Sequence, residues 1–159
     1  MSISDLIVVM KEGVIQQIGQ PQDVYDSPVN LFVAKFLGTP PINVFDGEIK
    51  GGRLFIGGDD VLAVPGAKDQ PVHVAVRPEG FLLDENGPLT CALKGVEVMG
   101  RDISVVSSHP AMQTACVRSI IGSENRFSVA GAVVRFSVKP DKLFIFSRET
   151  EERIHFGQN

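Results

Sequence analysis

The chain has 159 residues, of which 43% are hydrophobic and 21% charged, so it can bury a sizeable core and is neither disordered nor fibrous. Its formal net charge is −4 and no window is strongly basic, which argues against phosphate-driven binding of nucleic acid. No apolar run approaches the ~20 residues that a membrane-spanning helix requires. Cys91 and Cys116 are isolated in strand-like segments, so we expect buried thiols in a reducing cytosol.

The first twenty residues predict a β-hairpin. Residues 6–10 are a continuous apolar run, residues 11–13 supply a turn that contains a glycine, and residues 14–18 return. A strand that is apolar on both faces usually lies in a sheet covered on both sides, yet almost nothing precedes this one. We therefore expect a missing N-terminal partner, and a hairpin that is disordered, folded onto the barrel, or exchanged with another chain.

Two short helices are predicted next. Pro21 suits the first position of one helix. Asp26 or Ser27 could cap a second helix, with Pro28 near its first position and Gly38 as its C-terminal stop. The apolar stripe expected to pack in the core comprises Leu31, Phe32, Val33, Phe36 and Leu37.

After a linker at residues 39–41, the pattern is that of strands. Turns recur about every 8 residues, a spacing typical of a small barrel or sandwich. Residues 123–128 are polar and compatible with one helical turn, and the charged residues 148–153 are expected to be solvated. The predicted strands cover residues 44–50, 53–56, 61–64, 71–76, 81–83, 89–99, 102–107, 112–121, 132–138 and 143–146.

The sequence lacks the motifs of common catalytic sites. It contains no G-x-S-x-G, H-E-x-x-H or C-x-x-C pattern, and no Lys follows a Gly as in a P-loop. His73, His109 and His155 have no ligand neighbours, so we expect surface or strand histidines rather than metal ligands. Asp59 and Asp60, and likewise residues 151–152, are pairs of adjacent carboxylates. Adjacent residues in a strand point to opposite faces, so neither pair can converge on one substrate atom. We expect both pairs to serve turn and tail solvation.

Segments along the whole chain resemble one family. Residues 5–21, DLIVVMKEGVIQQIGQP, resemble the strand pair at the end of an ABC-transporter ATPase domain. Residues 24–28 and 30–38 resemble the helical segment that leads out of that domain. Residues 39–45, TPPINVF, are similar to the junction in importers of the maltose and glycerol-phosphate type.

The rest of the chain resembles the C-terminal regulatory domain of those importers, which is OB-like and of the TOBE class. Residues 74–79 contain its R-P-E signature, residues 96–102 and 142–146 match later strands, and residues 151–154 are similar to its usual ending. The resemblance implies a mainly β fold, a small OB-like antiparallel barrel or sandwich preceded by a β-hairpin and short helices. Residues 1–38 would be the remnant of the ATPase domain, and residues 39–159 the regulatory domain.

The resemblance also implies a function. It indicates a non-catalytic regulatory and dimerisation region of the ATP-binding subunit of a sugar-type ABC importer, whose parent couples ATP hydrolysis to solute import. The Walker, signature and switch motifs would all precede Ser2, so we expect no catalytic, cofactor-binding or metal residue here, with ATP and Mg in the parent subunit. The residues expected to act in regulation or at an interface are Arg77, Pro78, Glu79, Glu97, Gly100 and Asp102.

The expected partners are a second copy of the chain, permease subunits reached through the missing ATPase domain, and a regulatory protein or small effector. The expected location is cytoplasmic, peripheral on the inner face of the plasma membrane. A small-anion (molybdate-like) or effector-sensing TOBE domain is the alternative, although the paired short repeats of molybdate-binding TOBE domains are not evident. A nucleic-acid OB module would need interleaved basic and aromatic residues on one face, which this acidic chain does not show.

Overall fold

The computed structural model describes residues 5–38, 40–114, 116–122 and 131–156, and it is mainly β, as predicted. Its strands pair antiparallel, in agreement with the predicted OB-like class. The strands and helices are β1 Ile7–Lys11, β2 Val14–Gly19, α1 Pro21–Asp26, α2 Leu31–Phe36, β3 Asn43–Lys50, β4 Arg53–Ile56, β5 Asp59–Ala63, β6 Gln70–Val76, β7 Phe81–Leu83, β8 Leu89–Met99, β9 Asp102–Ser108, β10 Val117–Gly122, β11 Val133–Val138, β12 Leu143–Ser147 and β13 Arg153–Ile154.

Two larger sheets enclose the main core. One has the strand order β10-β9-β8-β11-β7 and the other the order β13-β12-β6-β3-β4-β5. In β3, buried and exposed side chains alternate from Phe45 onward, which is the pattern of a strand with one covered face. The buried cluster draws on both sheets, for example Phe45 and Val74 from one and Val105 and Phe136 from the other. The barrel or sandwich is therefore held together by side chains of the two inner faces.

The hairpin of β1 and β2 is folded onto the helices α1 and α2. The sequence predicted a hairpin that is disordered, folded onto the barrel or exchanged with another chain, so the predicted packing on the barrel was wrong in its partner. Val9 is buried against Val24 of α1 and Val33 of α2. Helix α2 in turn covers part of the outer face of the six-stranded sheet, where Leu31 and Ala34 join the cluster that contains Phe144 and Phe146. The opposite face of the hairpin exposes Val8, Met10, Ile15 and Ile18.

The predicted start of the second helix was wrong. The helix begins at Leu31, and the side chain of Asn30, rather than Asp26 or Ser27, accepts the N–H of Val33 at 3.0 Å. The stretch before Leu31 stays outside the helix because it pairs with the C-terminal segment: the carbonyl of Val29 accepts the N–H of Arg153, and Asn30 forms a bridge with Glu152. The apolar stripe was wrong at Phe36, which is 59% exposed.

The predicted strand over residues 112–121 was wrong in its first half. Strand β10 begins only at Val117, since Met112 forms an isolated bridge with Phe45 instead. Cys116 therefore lies outside the strand and is half-buried, whereas Cys91 is buried in β8 as expected. The turn predicted at residues 123–128 lies outside the described residues.

His109 and Asp59 form an internal pair, so the solvated turn predicted for Asp59 and the surface or strand position predicted for His109 were wrong. The Nε2 of His109 lies 3.0 Å from Oδ2 of Asp59, and its Nδ1 accepts the N–H of Ala111. With Nδ1 acting as an acceptor, the neutral ring carries its proton on Nε2 and donates it to the carboxylate. His73 lies in β6, as a strand histidine should.

The charged residues 148–153 are largely exposed, as predicted, although the segment is also attached to the strands. Arg148 donates through Nη2 to the carbonyls of Gly47 and Val72, at 3.0 and 3.2 Å. Arg153 lies in β13, which pairs with β12. Within the described ranges, no helix has the length and apolar character needed to cross a membrane.

Candidate functional site at Arg77

Arg77 lies at the end of a buried strand and points toward the helices. It follows β6 and precedes Pro78, which restricts it to an extended backbone (φ −62°, ψ 147°) before the 3-10 turn Pro78–Gly80. The backbone N–H of Arg77 donates to the carbonyl of Lys142 at 3.0 Å. The residue is only 1% exposed, so its charge must be met by partners inside the protein.

The guanidinium of Arg77 caps the C-terminal ends of both helices. Its Nη1 donates to the carbonyls of Ala34 and Leu37, at 3.0 and 2.9 Å, and its Nη2 donates to the carbonyl of Tyr25 at 2.8 Å. These carbonyls belong to the last turns of α2 and α1, where a helix offers them no internal donor. The planar fork of arginine suits this geometry because it presents several N–H groups in fixed directions.

Aromatic contacts complete the environment of the charge. The Cζ atom of Arg77 lies 3.9 Å from the ring centroid of Tyr25 and 5.7 Å from that of Phe144. The hydroxyl of Tyr25 donates to Oε2 of Glu79 at 2.7 Å. Cation–π contact and the nearby carboxylate both favour the protonated guanidinium in a desolvated place.

The pKa values of this cluster follow from burial and from the same contacts. Burial lowers the pKa of Arg77, and electrostatic interaction with Tyr25 and with the carboxylates of Glu79 and Asp26 opposes that shift. Burial and the hydrogen bond to Glu79 raise the pKa of Tyr25 to about 12. Tyr25 therefore keeps its proton near neutral pH and acts as the donor to Glu79.

A second attachment holds the helical segment on its other side. Arg153 donates through Nη1 to the hydroxyl of Ser27 at 2.8 Å, and its backbone N–H donates to the carbonyl of Val29. The N–H of Leu31 donates to the carbonyl of Glu151 at 3.1 Å. The helical segment, residues 21–38, is thus joined to the strands β3 to β13, called the β domain below, at two places that are far apart in sequence.

The structure places the six predicted site residues in two groups. Arg77, Pro78 and Glu79 lie together where the end of β6 contacts the C-terminal ends of α1 and α2, a contact called the joint below. Pro78 is buried in the 3-10 turn there. The other three lie on the five-stranded sheet at the β8–β9 hairpin, where their contacts do not include the joint. Glu97 and Asp102 are exposed there, and Gly100 has the positive φ of +68° that the turn requires. The regulatory or interface role of all six stays a prediction.

Sequence reasoning missed the partners of Arg77. Tyr25 lies 52 residues before it in the chain, and Phe144 belongs to another strand. The one available signal was an arginine directly after an apolar strand, because such a buried charge needs partners from elsewhere. The described part of the chain contains no cluster of His, Cys, Asp or Glu side chains that could hold a metal ion.

Comparison with known proteins gives curated relatives along nearly the whole chain, while no protein-family profile matches it. The sn-glycerol-3-phosphate import ATP-binding protein UgpC of Ruegeria sp. (strain TM1040) is 32% identical over 155 residues, covering 97% of this chain and 43% of the relative. The Fe(3+) ions import ATP-binding protein FbpC of Fusobacterium nucleatum subsp. nucleatum is 33% identical over 179 residues, covering 100% and 44%.

Among solved structures, the cytoplasmic molybdate-binding protein ModG with molybdate bound is a distant neighbour. It aligns with 66% of this chain and 95% of that chain, with a TM-score of 0.47 and 19% identity. A likeness this distant carries no argument about fold or ligand.

The chain belongs with the ATP-binding subunits of ABC importers, and it corresponds to the C-terminal part of such a subunit. This confirms the resemblance found in the sequence. The chain spans less than half of the length of the curated relatives that it matches. The relatives are named for different solutes, glycerol phosphate and ferric ion, so their names point to no common substrate.

Proposed function

We propose that this chain is the non-catalytic regulatory and dimerisation region of the ATP-binding subunit of a sugar-type ABC importer. Residues 1–38 are the end of the ATPase domain, and residues 39–159 are the regulatory domain. The parent subunit couples hydrolysis of ATP, with Mg, to solute import. It acts in the cytoplasm, on the inner face of the plasma membrane, with the permease subunits as partners of its ATPase domain.

The observation that carries the proposal is the joint at Arg77. One buried guanidinium binds the last turns of α1 and α2 to the end of β6. A β domain held in this way moves together with the end of the ATPase domain. A contact between two β domains would then keep two ATPase domains near each other through each cycle and raise their effective concentration. A regulatory protein or small effector bound to the β domain would act through the same joint.

Self-association of the chain tests the proposal. We expect sedimentation velocity over a concentration series to show a reversible shift from monomer toward dimer. A strict monomer at high protein concentration would contradict the proposed dimerisation.

The exposed apolar face of the hairpin could cause association by itself, so it needs a matched control. Val8 and Ile18 are register partners on that face. The double variant Val8→Thr and Ile18→Thr makes the face more polar while keeping β-branched side chains. We expect the double variant to associate like the original chain. Loss of association in this variant would place the contact on the hairpin and refute dimerisation through the β domain.

A further inference from the structure

A cleft of about 400 Å³ lies between α2, the start of β3 and the segment that leads into β10. Its apolar lining includes Ile42 and Val44 from the linker and β3, and Met112 from the segment before β10. The volume falls within the usual range for small-molecule sites, and such sites combine an apolar lining with a few polar groups.

The floor of the cleft is fixed by a buried amide. Asn43 is 2% exposed, and its Nδ2 donates to the carbonyls of Val76 and Arg118, at 3.1 and 2.9 Å. Its Oδ1 accepts the N–H of Arg118 at 2.9 Å. The N–H of Gln113 donates to the carbonyl of Val44, which holds the opposite wall. The cleft is therefore formed before any ligand arrives, which reduces the ordering cost of binding.

The charges around the cleft have one sign. Lys35 of α2 and Arg118 of β10 line it from two sides, and no carboxylate is among its lining residues within the described chain. Neither cation forms an ion pair in the part of the chain that the structure describes. A ligand with a negative group and an apolar body would fit this lining. Lys35 and Arg118 would contact its negative group, and the apolar side chains would contact its body.

We infer that this cleft binds a small organic anion, such as a phosphate or carboxylate that carries an apolar body. A bound anion would contact α2 through Lys35 and β10 through Arg118, and so would bridge the helical segment and the β domain. This inference goes beyond the proposed dimerisation, since binding here needs no second copy of the chain.

Three probes of matched chemistry test the inference by NMR titration of the ¹⁵N-labelled chain. Hexyl phosphate carries both features, inorganic phosphate carries only the charge, and hexanol carries only the apolar body. We expect hexyl phosphate to shift the amide signals of Val44, Gln113 and Arg118 in a saturable way. Inorganic phosphate and hexanol should leave these signals nearly unchanged at the same concentrations.

Charge-neutral variants show whether the cations hold the ligand. Lys35→Gln and Arg118→Gln should each weaken hexyl phosphate binding about fivefold, the size expected for one exposed charge contact. Lys94→Gln removes an exposed cation of β8 that does not line the cleft, and it should bind like the original chain. Arg118→Gln preserves the backbone bonds to Asn43, so its spectrum should keep the native pattern.

Three results would overturn the inference. One is equal response to hexanol and hexyl phosphate, which would mean an apolar site. Another is equal weakening by Lys94→Gln, which would mean a general charge effect. The third is binding of an oligoglutamate peptide without binding of hexyl phosphate, which would mean a peptide site. Sedimentation measures dimerisation separately, so failure of either proposal can be told from failure of the other.

Discussion

A buried guanidinium is tolerated only where partners meet its charge and its N–H groups. Arg77 finds three backbone carbonyls, one aromatic face at 3.9 Å and a second at 5.7 Å. Its buried Nε has no hydrogen-bond partner among the described residues, so the hydrogen-bonding capacity of the guanidinium is not fully used. What Arg77 contributes is position, since it holds two helix ends against the strand that it follows.

Replacement of Arg77 by Gln should lower the free energy of unfolding by about 2–4 kcal/mol, because buried carbonyls lose their donors. Arg77→Lys should lower the free energy of unfolding nearly as much, since a lysine cannot present the planar fork of N–H donors. Urea unfolding followed by circular dichroism measures both. Arg53→Gln is the control, because Arg53 pairs with Asp60 in an exposed ion pair and should cost at most about 1 kcal/mol. Equal losses for Arg77 and Arg53 would show that the joint adds no stability.

Tyr25 gives a direct readout of the same joint, because it is the only tyrosine and the chain has no tryptophan. Its pKa is raised from 10.0 to about 12 in the folded chain, so it favours folding below pH 10 and loses that contribution as pH rises through 12. We expect a native absorbance titration at 295 nm to have its midpoint well above that of the urea-unfolded chain. Glu79→Gln should lower the native midpoint. Equal midpoints in the native and unfolded chain would contradict the buried, hydrogen-bonded hydroxyl.

At the scale of elements, Asn43 links the two larger sheets. It lies in β3 of one sheet and bonds through both side-chain atoms to the backbone of Arg118 in β10 of the other. A single amide thereby satisfies the N–H and the carbonyl of Arg118, which lies in the edge strand β10 of the five-stranded sheet. The two sheets are joined there by a directional contact as well as by apolar packing.

Asn43→Ala should lower the free energy of unfolding by about 2–3 kcal/mol, since buried backbone groups lose their partners. Asn43→Asp should also lower the free energy of unfolding, because a carboxylate cannot donate to the carbonyls of Val76 and Arg118. Gln113→Ala is the control, because the exposed side-chain amide of Gln113 bonds to Asp46 and His73 and, among the described residues, to no backbone group. Thermal unfolding of the three variants under the same conditions gives the comparison. A loss at Asn43 no larger than at Gln113 would refute the link.

Local patterns predicted most elements well and failed where distant contacts decide. The strands β3, β4, β8 and β9 lie close to their predicted bounds because alternation and glycine turns are local signals. The predicted start of α2 was wrong because Asp26, Ser27 and Asn30 are all able to cap a helix. Pairing of Asn30 with Glu152 selects among them, and that contact spans most of the chain.

The candidate site shows the same division. The sequence placed residues 77–79 together because they are contiguous, and the structure keeps them together. It did not predict Tyr25 as the residue stacked on Arg77, since no spacing rule joins positions 52 residues apart. It also missed the pair of His109 and Asp59, which lie 50 residues apart in the chain.

At the scale of the whole molecule, the joint predicts that the helical segment and the β domain unfold together. Near-ultraviolet signals from Tyr25 report on the helical segment, and far-ultraviolet circular dichroism reports mainly on the strands. We expect the two urea curves of the original chain to coincide, as in a two-state transition. In Arg77→Gln the Tyr25 signal should change at lower urea. Separate transitions in the original chain would contradict the rigid attachment.

The helices α1 and α2 have six residues each, and a helix of that length is marginal in water without help. They therefore depend on contacts with the rest of the fold, among them the guanidinium that reaches them from the end of β6. Thermodynamic reciprocity follows: a perturbation that tightens or loosens the strands must shift the helix–coil balance of α1 and α2, and unwinding of these two helices must weaken the strands in return.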